Sequence, residues 1–429
     1  MRRIVIFGAS GNLSCKKLFP KLFELGFLDI EIIAYARSPL QNTFKEKLKC
    51  FYDNYTEEFL NAIKYIQGNY DDLSELSKHV DKNTVLYFAI PPSAYLNLIQ
   101  KVKEIPHSYI AMEKPYGTSV NNFIQIEREK VKNIFYVDHY LTKSLCSAFP
   151  KIKRDQKTLF NFLNNQTVKS VELYFNENID AEGRAFFDKS GIVKDVMQTH
   201  LTQILAQILC EPDMELQASR AEFISKMDLN YEESIFGQYK GYEKEMEKIT
   251  STETFASIPF LVNSEKWETI PFLMSAGKAL SIKKVDIKFK IRKCAFLSAL
   301  KLVENEEDCG ELKEQTDKIE SMHLICSIAP KGEVSLNVKM NTKSIDLIII
   351  PEKSIRNINC DEYRCFDDYN LIFITLFEAD FSVYASSKNA LEAWKLFQPI
   401  YDHKKPLFSY NKGIKMPKEA AELKSKWIN

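Results

Sequence analysis

Short apolar runs separated by amphipathic stretches fill the first 140 residues. Runs at Arg3–Phe7, Glu31–Ala36, Thr84–Ile90, Ser108–Met112 and Ile134–Val137 read as strands. Between them, positions such as Leu18, Leu22, Phe23 and Leu25 fall on one helical face. Strands that are apolar throughout and alternate with helices predict a parallel sheet covered on both sides. After about Cys146 the rhythm changes: Ser170–Phe175, Lys284–Phe289 and Val334–Met340 follow one another with fewer helices between them. That pattern predicts an α+β domain with a mainly antiparallel sheet. The expected organisation is α/β overall, with residues 1–140 as a domain built on the parallel sheet and 141–429 as a second domain. The acidic segment Glu304–Asp317, poor in apolar residues, reads as a mobile surface excursion.

Composition narrows the classes of function. Of 429 residues, 45% are hydrophobic and 27% charged, which excludes disordered and collagen-like chains. Lys+Arg 58 balance Asp+Glu 58, so no global field draws in nucleic acid or an anionic membrane. Nine cysteines lack any C-x-x-C pair, so neither a zinc site nor a disulfide framework is expected, and no metal is predicted. The run Ile4–Phe7 is too short for a signal peptide and Val85–Ile90 too short to span a bilayer. A cytoplasmic protein with reduced thiols is the expectation.

Chemistry concentrates where strands end. Gly8-Ala9-Ser10-Gly11-Asn12-Leu13-Ser14 follows the first strand and opens a helix, where backbone N–H groups can approach a pyrophosphate. Its spacing is G-x-x-G-x-x-Ser, and a plain strand–helix turn would use the same glycines. The next strand ends in Arg37, where an NAD site usually has an acid; an arginine can pair with a 2′-phosphate, although a solvated arginine is common there too. Met112-Glu113-Lys114-Pro115-Tyr116-Gly117 places a lysine at a strand end. Val137-Asp138-His139-Tyr140-Leu141-Thr142-Lys143 gathers groups that can hold a phosphate. A further block, Glu182 to His200, ends in a helix with Val196, Met197, His200 and Ile204 on one face. A lone histidine there is more often a core residue, but Glu182 and Asp195 favour a polar pocket. Only 13 residues are glycine, about 3% of the chain, and Gly8, Gly11, Gly117, Gly183 and Gly191 fall in these blocks.

In this order, GASGNLSCKKLFP, IIAYARS, FAIPPSAY, MEKPYG, VDHYLTKS, AEGRAFFDKSGIVKDVMQTHLTQIL, FGQYKGY, TFASIPFLVNSEKWETIPFLMSAGKAL and EAWKLFQPI resemble the glucose-6-phosphate dehydrogenase family over nearly the whole chain. The resemblance implies a Rossmann-type domain joined to a larger β+α domain. It also implies oxidation of glucose 6-phosphate at C1 to the 6-phosphogluconolactone, the first step of the pentose phosphate pathway. By the same resemblance, Gly8, Ala9, Ser10, Gly11, Asn12, Leu13, Ser14, Cys15 and Arg37 hold NADP, with Tyr95 and Lys114 at its nicotinamide end. His139, Tyr140 and Lys143 bind the sugar phosphate; Glu182, Asp195, Lys278 and Lys283 contact the sugar, with Lys17 and Lys114 close by. His200 is the general base and Asp138 orients it. Removing a hydroxyl proton as hydride leaves requires such a base, and imidazole is the side chain best suited near neutral pH.

Asn12, Ser14, Thr142, Ser144, Lys194 and Thr199 depart from the family pattern, and Thr142 lies within the phosphate-binding turn. Some members hold a second, structural NADP through arginines; Ser275 and Ser327 stand at two of those places, so that site is not expected here. The resemblance further implies a homodimer or homotetramer built on the second domain's sheet, with no nucleic-acid or membrane partner. A related NADP-dependent sugar oxidoreductase is disfavoured by the D-H-Y-x-x-K block, and a non-catalytic sensor of the same ligands by the presence of both Asp138 and His200.

Overall fold

A computed structural model describes residues 2–26, 30–183, 185–212, 214–303, 306–341, 343–361, 368–403 and 405–428. The chain divides into two compact units, Met1–Thr142 with Phe366–Leu391, and Lys143–Cys365 with Glu392–Asn429.

The first unit is built on six parallel strands: β1 (Arg2–Phe7), β2 (Ile30–Ala36), β3 (Ile63–Gln67), β4 (Thr84–Phe88), β5 (Tyr109–Glu113) and β6 (Ile134–Val137). Their order is β3-β2-β1-β4-β5-β6. This is the doubly wound arrangement, whose order reverses between β1 and β4 and leaves a crevice at the strands' carboxyl ends. The central strands are buried on both faces, as their continuous apolar runs require.

Strand β3 was not expected. It follows the helix Glu57–Ala62 without a loop, and its exposed Lys64 and Gln67 give the broken pattern of an edge strand. Nor did the sequence assign the return of 366–391 to this unit, having placed one boundary after residue 140. Its helix Asp368–Glu378 contributes Leu371, Ile372, Phe373 and Leu376 to the core under the sheet. Phe381 stacks on Phe135 at 3.8 Å, and the Ala385 N–H donates to the Tyr136 carbonyl of β6 at 3.3 Å.

The second unit carries a ten-stranded sheet: β7 (Val168–Asn176), β8 (Met227–Leu229), β9 (Ile235–Tyr239), β10 (Phe255–Val262), β11 (Phe272–Gly277), β12 (Lys284–Ile291), β13 (Ile319–Ala329), β14 (Glu333–Met340), β15 (Lys343–Ile350) and β16 (Leu407–Tyr410). The order is β15-β14-β13-β12-β7-β11-β10-β9-β16, with β8 paired to β10. Pairing is antiparallel except for β7 with β11 and β9 with β16. A π-helical segment, Val193–Leu201, runs into the helix Thr202–Leu209, all eight of whose residues are buried, as for a helix enclosed by its own domain. The expected mobile excursion is instead partly helical. Residues 304–305 lie outside the described set, but Glu306–Glu314 is a helix that buries Cys309 and Leu312, three positions apart on one face.

Because Phe373 is fully buried with its ring 5.7 Å from that of Tyr87 on β4, Phe373→Ala is expected to destabilise the nucleotide unit by about 3–5 kcal/mol. Chemical denaturation checks this, and an unchanged midpoint would detach 368–391 from the unit's core.

Candidate functional site

In the first unit the loop after β1 is a tight knot. The Gly8 and Ala9 N–H groups both donate to the Tyr35 carbonyl, at 2.9 and 3.2 Å, and the Gly11 N–H donates to the Gly8 carbonyl at 2.9 Å. The Ser14 hydroxyl closes the loop onto that same Gly8 carbonyl at 3.0 Å. Gly8 has φ +78°, and a Cβ there would lie 2.3 Å from the Ala89 carbonyl oxygen. Its own chain, before any ligand, therefore demands glycine. The helix that follows opens at Asn12, Leu13 and Ser14, whose N–H groups face the end of the loop as the first turn of any helix must. Cys15 is buried, and burial pushes its thiol up to about 11, so it is a packing residue.

Two cations flank this loop. Arg37 leaves the end of β2 with its guanidinium 5.3 Å from the centre of the Tyr70 ring and its head exposed. Lys47, on the helix Phe44–Phe51, donates to the Ser10 carbonyl at 2.8 Å. Ser10 and Ser38 share a hydroxyl–hydroxyl bond of 3.1 Å. No acid occurs between Ala36 and Asn42. Amide donors, hydroxyls and an arginine at the second strand's end fit a diphosphate and a 2′-phosphate, the groups NADP presents. Lys47 and Tyr70 were not anticipated, since each reaches the loop from an unrelated segment. Lys17 lies exposed on the helical turn Ser14–Leu18.

Three buried groups meet where β5 and β6 end. Tyr95, expected against the cofactor, is fully buried and its hydroxyl donates to the Glu113 carbonyl at 2.6 Å. What it offers is control of the backbone just before Lys114. The Glu113 carboxyl accepts from the Tyr87 hydroxyl at 2.6 Å. Asp138 is buried and receives the Tyr140 N–H at 2.9 Å, which turns the chain through His139. Thr142 does not open this turn. It is fully buried, and its hydroxyl donates to the His139 carbonyl at 2.9 Å, replacing the freedom of a glycine with a bond. The His139 ring stacks on Tyr369 at 5.5 Å, a partner from the returning segment that no local motif could reveal.

In the second unit Lys143 caps the helix Ser144–Asp155. The parallel pair β7 and β11 ends with Asn176 beside Gly277, and the next residues carry charge. Lys278 is 3% exposed and its ammonium meets the Glu177 carboxylate at 2.5 Å, with the Phe187 ring 4.8 Å away. His200 is 2% exposed and stacks over Phe175 at 6.0 Å, with 11° between the rings. Phe175 and Glu177 are two apart, so they leave the strand on one face. The helix carrying His200 also carries Asp195, whose carbonyl accepts the Thr199 hydroxyl at 2.8 Å. Such widened helical turns commonly accompany functional positions.

Glu182 is exposed on a turn at φ +52°. Glu177 lies just outside the Glu182–His200 block, and only the register of β7 against β11 brings it beside Lys278. Lys283 is exposed between β11 and β12. Ser275 and Ser327 are engaged within the sheet, by Ser257 at 2.7 Å and by the Asp286 carboxylate at 2.9 Å.

Burial pushes the Glu113 carboxyl up to about 7; the Asp138 charge acts in the same direction, while Tyr87, Lys114 and Tyr369 act against it. Such an acid keeps its proton in the folded state between 4.5 and about 7, where the unfolded chain has released it, so stability falls as pH rises through that window. Glu113→Gln keeps an acceptor for Tyr87 and cannot ionise. Its stability relative to the parent is expected to improve by about 1–3 kcal/mol between about pH 5 and about pH 8. Denaturant titrations at the two pH values check this, and a constant difference would show that Glu113 does not titrate there.

Family models match both halves of the chain: "Glucose-6-phosphate dehydrogenase, NAD binding domain" over residues 5–147 and "Glucose-6-phosphate dehydrogenase, C-terminal domain" over 152–427. A glucose-6-phosphate 1-dehydrogenase of Encephalitozoon cuniculi is 36% identical over 98% of both chains. The cytoplasmic glucose-6-phosphate 1-dehydrogenase 5 of Arabidopsis thaliana is 26% identical over 99% of this chain and 90% of its own. A solved glucose-6-phosphate dehydrogenase in complex with glucose 6-phosphate superposes with a TM-score of 0.79 at 26% identity, covering 99% of this chain and 97% of that one. With both models matched and a close relative aligned end to end, the chain belongs to the glucose-6-phosphate dehydrogenase family.

Proposed function

We propose that this chain carries out the reaction of its family, oxidising glucose 6-phosphate at C1 to 6-phosphogluconolactone, with His200 as the base. NADP, when bound, accepts the hydride. The observation that carries the assignment of the base is the buried His200 imidazole, fixed over Phe175 at the end of a parallel strand pair whose next residues are Glu177 and Lys278.

The chain's own groups divide the work. One ring nitrogen of His200 takes the proton of the C1 hydroxyl, and the Asp138 carboxylate favours the imidazolium that results. The His139, Tyr140 and Lys143 donors hold the phosphate dianion by charge-assisted bonds. Lys278, with its charge balanced by Glu177, and Asp195 orient the sugar hydroxyls. Glu177 takes the place that the sequence reading gave to Glu182. The Gly8–Cys15 loop and Arg37 hold NADP, and Tyr95 acts through Lys114. A cytoplasmic homo-oligomer, dimer or tetramer, completes the reading; that the Arabidopsis relative is a cytoplasmic enzyme supports the compartment. No described helix is long and apolar enough to cross a membrane.

The direct test is NADP reduction with glucose 6-phosphate. His200→Asn is expected to lose kcat by roughly 10²–10⁴-fold while keeping its affinity for sugar phosphate and NADP. Near-normal turnover would move the base elsewhere, and ligand binding without any turnover in the parent enzyme would favour a sensor. Arg37→Ala is expected to weaken NADP binding by about 1.5–3 kcal/mol and leave NAD binding nearly unchanged. Calorimetry with both cofactors checks this, and equal losses would make Arg37 a structural residue.

A further inference from the structure

The helix that carries Asp195 and His200 begins at a break. Gly191, with φ +66° and ψ 175°, is a kink inside Ala185–Ile192, just before Val193–Leu201. A carboxylate occupies the space this glycine leaves open: Glu253 Oε1 lies 2.1 Å from where a Cβ would stand. From there Glu253 takes up the start of the next helix twice. Its Oε1 accepts the Val193 N–H at 3.1 Å, and its backbone carbonyl accepts the Ile192 N–H at 3.0 Å. A negative charge at this end also complements the helix dipole. The neighbouring Thr252 hydroxyl ties the same segment to the Asp188 carbonyl at 2.7 Å, on the other side of the break.

Continuing along the chain, the same segment reaches Lys278. Thr254, the residue after Glu253, is fully buried and its carbonyl accepts the Lys278 N–H at 2.9 Å. One short stretch therefore grips the first turn of the His200 helix with residue 253 and the backbone of Lys278 with residue 254. The second grip continues the antiparallel register of β10 with β11, in which Phe255 faces Gly277; the first is made by the Glu253 side chain and lies outside that ladder.

We propose that Glu253 is a positioning residue for the substrate site: its carboxylate fixes the start of the Asp195–His200 helix in a set relation to Lys278. The proposal rests on the assignment of Asp195, His200 and Lys278 to that site. Gly191 is the complementary half of the device, since only a residue without a side chain admits the carboxylate.

The test compares Glu253→Ala with Glu253→Gln. The alanine variant loses the acceptor and is expected to raise KM for glucose 6-phosphate and lower kcat, about 10-fold or more in kcat/KM, with KM for NADP unchanged. The glutamine variant keeps an oxygen for the Val193 N–H and is expected to recover most of that loss, to within about 3-fold of the parent. Gly191→Ala is expected to be strongly impaired in the parent and less so in the Glu253→Ala background, because the collision is then gone. Wild-type constants in Glu253→Ala overturn the proposal. So do equal losses for both substrates, or equal losses in the alanine and glutamine variants, which mark a merely structural role. If Glu253→Ala does not fold, Glu253→Asp, which withdraws the carboxylate by one methylene, takes its place under the same criteria. His200→Asn is assayed alongside. If it keeps kcat, the functional assignment itself falls; if it loses kcat while Glu253→Ala is silent, Glu253 alone does.

Discussion

Strands β7 and β11 run the same way through a sheet whose other pairs are mostly antiparallel, and their shared direction puts Glu177 beside Lys278. In an antiparallel neighbour the corresponding residues would leave at opposite ends. Parallel strands end on one edge, so residues from distant parts of the chain emerge a strand spacing apart. An ammonium as buried as Lys278 needs a partner to offset its desolvation, and Glu177 supplies it from the adjacent strand. The His200 helix lies against these two strands and sets its imidazole over Phe175. Register, ion pair and helix placement are thus a single arrangement.

The first unit solves a related problem with a fully parallel sheet. All six strands discharge their following residues on one edge, so Gly8, Arg37, Lys114 and Asp138 come from four different strand ends. This crowding has an electrostatic cost. Glu113 ends β5 and Asp138 follows the neighbouring β6, both buried, and the proton that Glu113 retains toward neutral pH is first the response of a carboxyl to burial, with the Asp138 charge adding to it.

Much of this was legible in the residues. Continuous apolar runs alternating with helices named a parallel sheet, and the changed rhythm after Cys146 named a mainly antiparallel one. What escaped had no local signal. Strand β3 is short, partly polar and fused to the preceding helix, so neither period stands out. The helix Asp368–Glu378 belongs with β4 and β6 only because its apolar face matches theirs in space. Glu177 precedes the block that drew attention and is distinguished by its neighbour across the sheet, whereas Glu182, inside the block, sits on an exposed turn. Cys309 and Leu312 were too sparse among acids to announce a helix. Local pattern names the elements; pairing across the sheet decides which charged residue has a partner.

The chain is poor in glycine and rich in tyrosine, with 13 of the first and 20 of the second, and the strand ends show how that combination works. A tyrosine brings a rigid apolar ring and a polar tip at the cost of two torsions, so it can reach through a core and hold a backbone carbonyl. Tyr95 does so at the Glu113 carbonyl, 2.6 Å away, immediately before Lys114. Tyr410 does so at the Lys278 carbonyl, at 2.9 Å, and at the Thr254 carbonyl, at 3.1 Å. Lys114 and Lys278, two of the lysines proposed for the site, thus have their backbone held by a buried phenol. A carbonyl left unpaired in either place would cost about 1–3 kcal/mol, more than a single such bond contributes net, so the hydroxyls prevent a loss more than they add a gain. Because the anchor is the backbone, it takes up no part of the ammonium groups, and a lysine whose Cα cannot drift loses less entropy when its side chain engages a ligand.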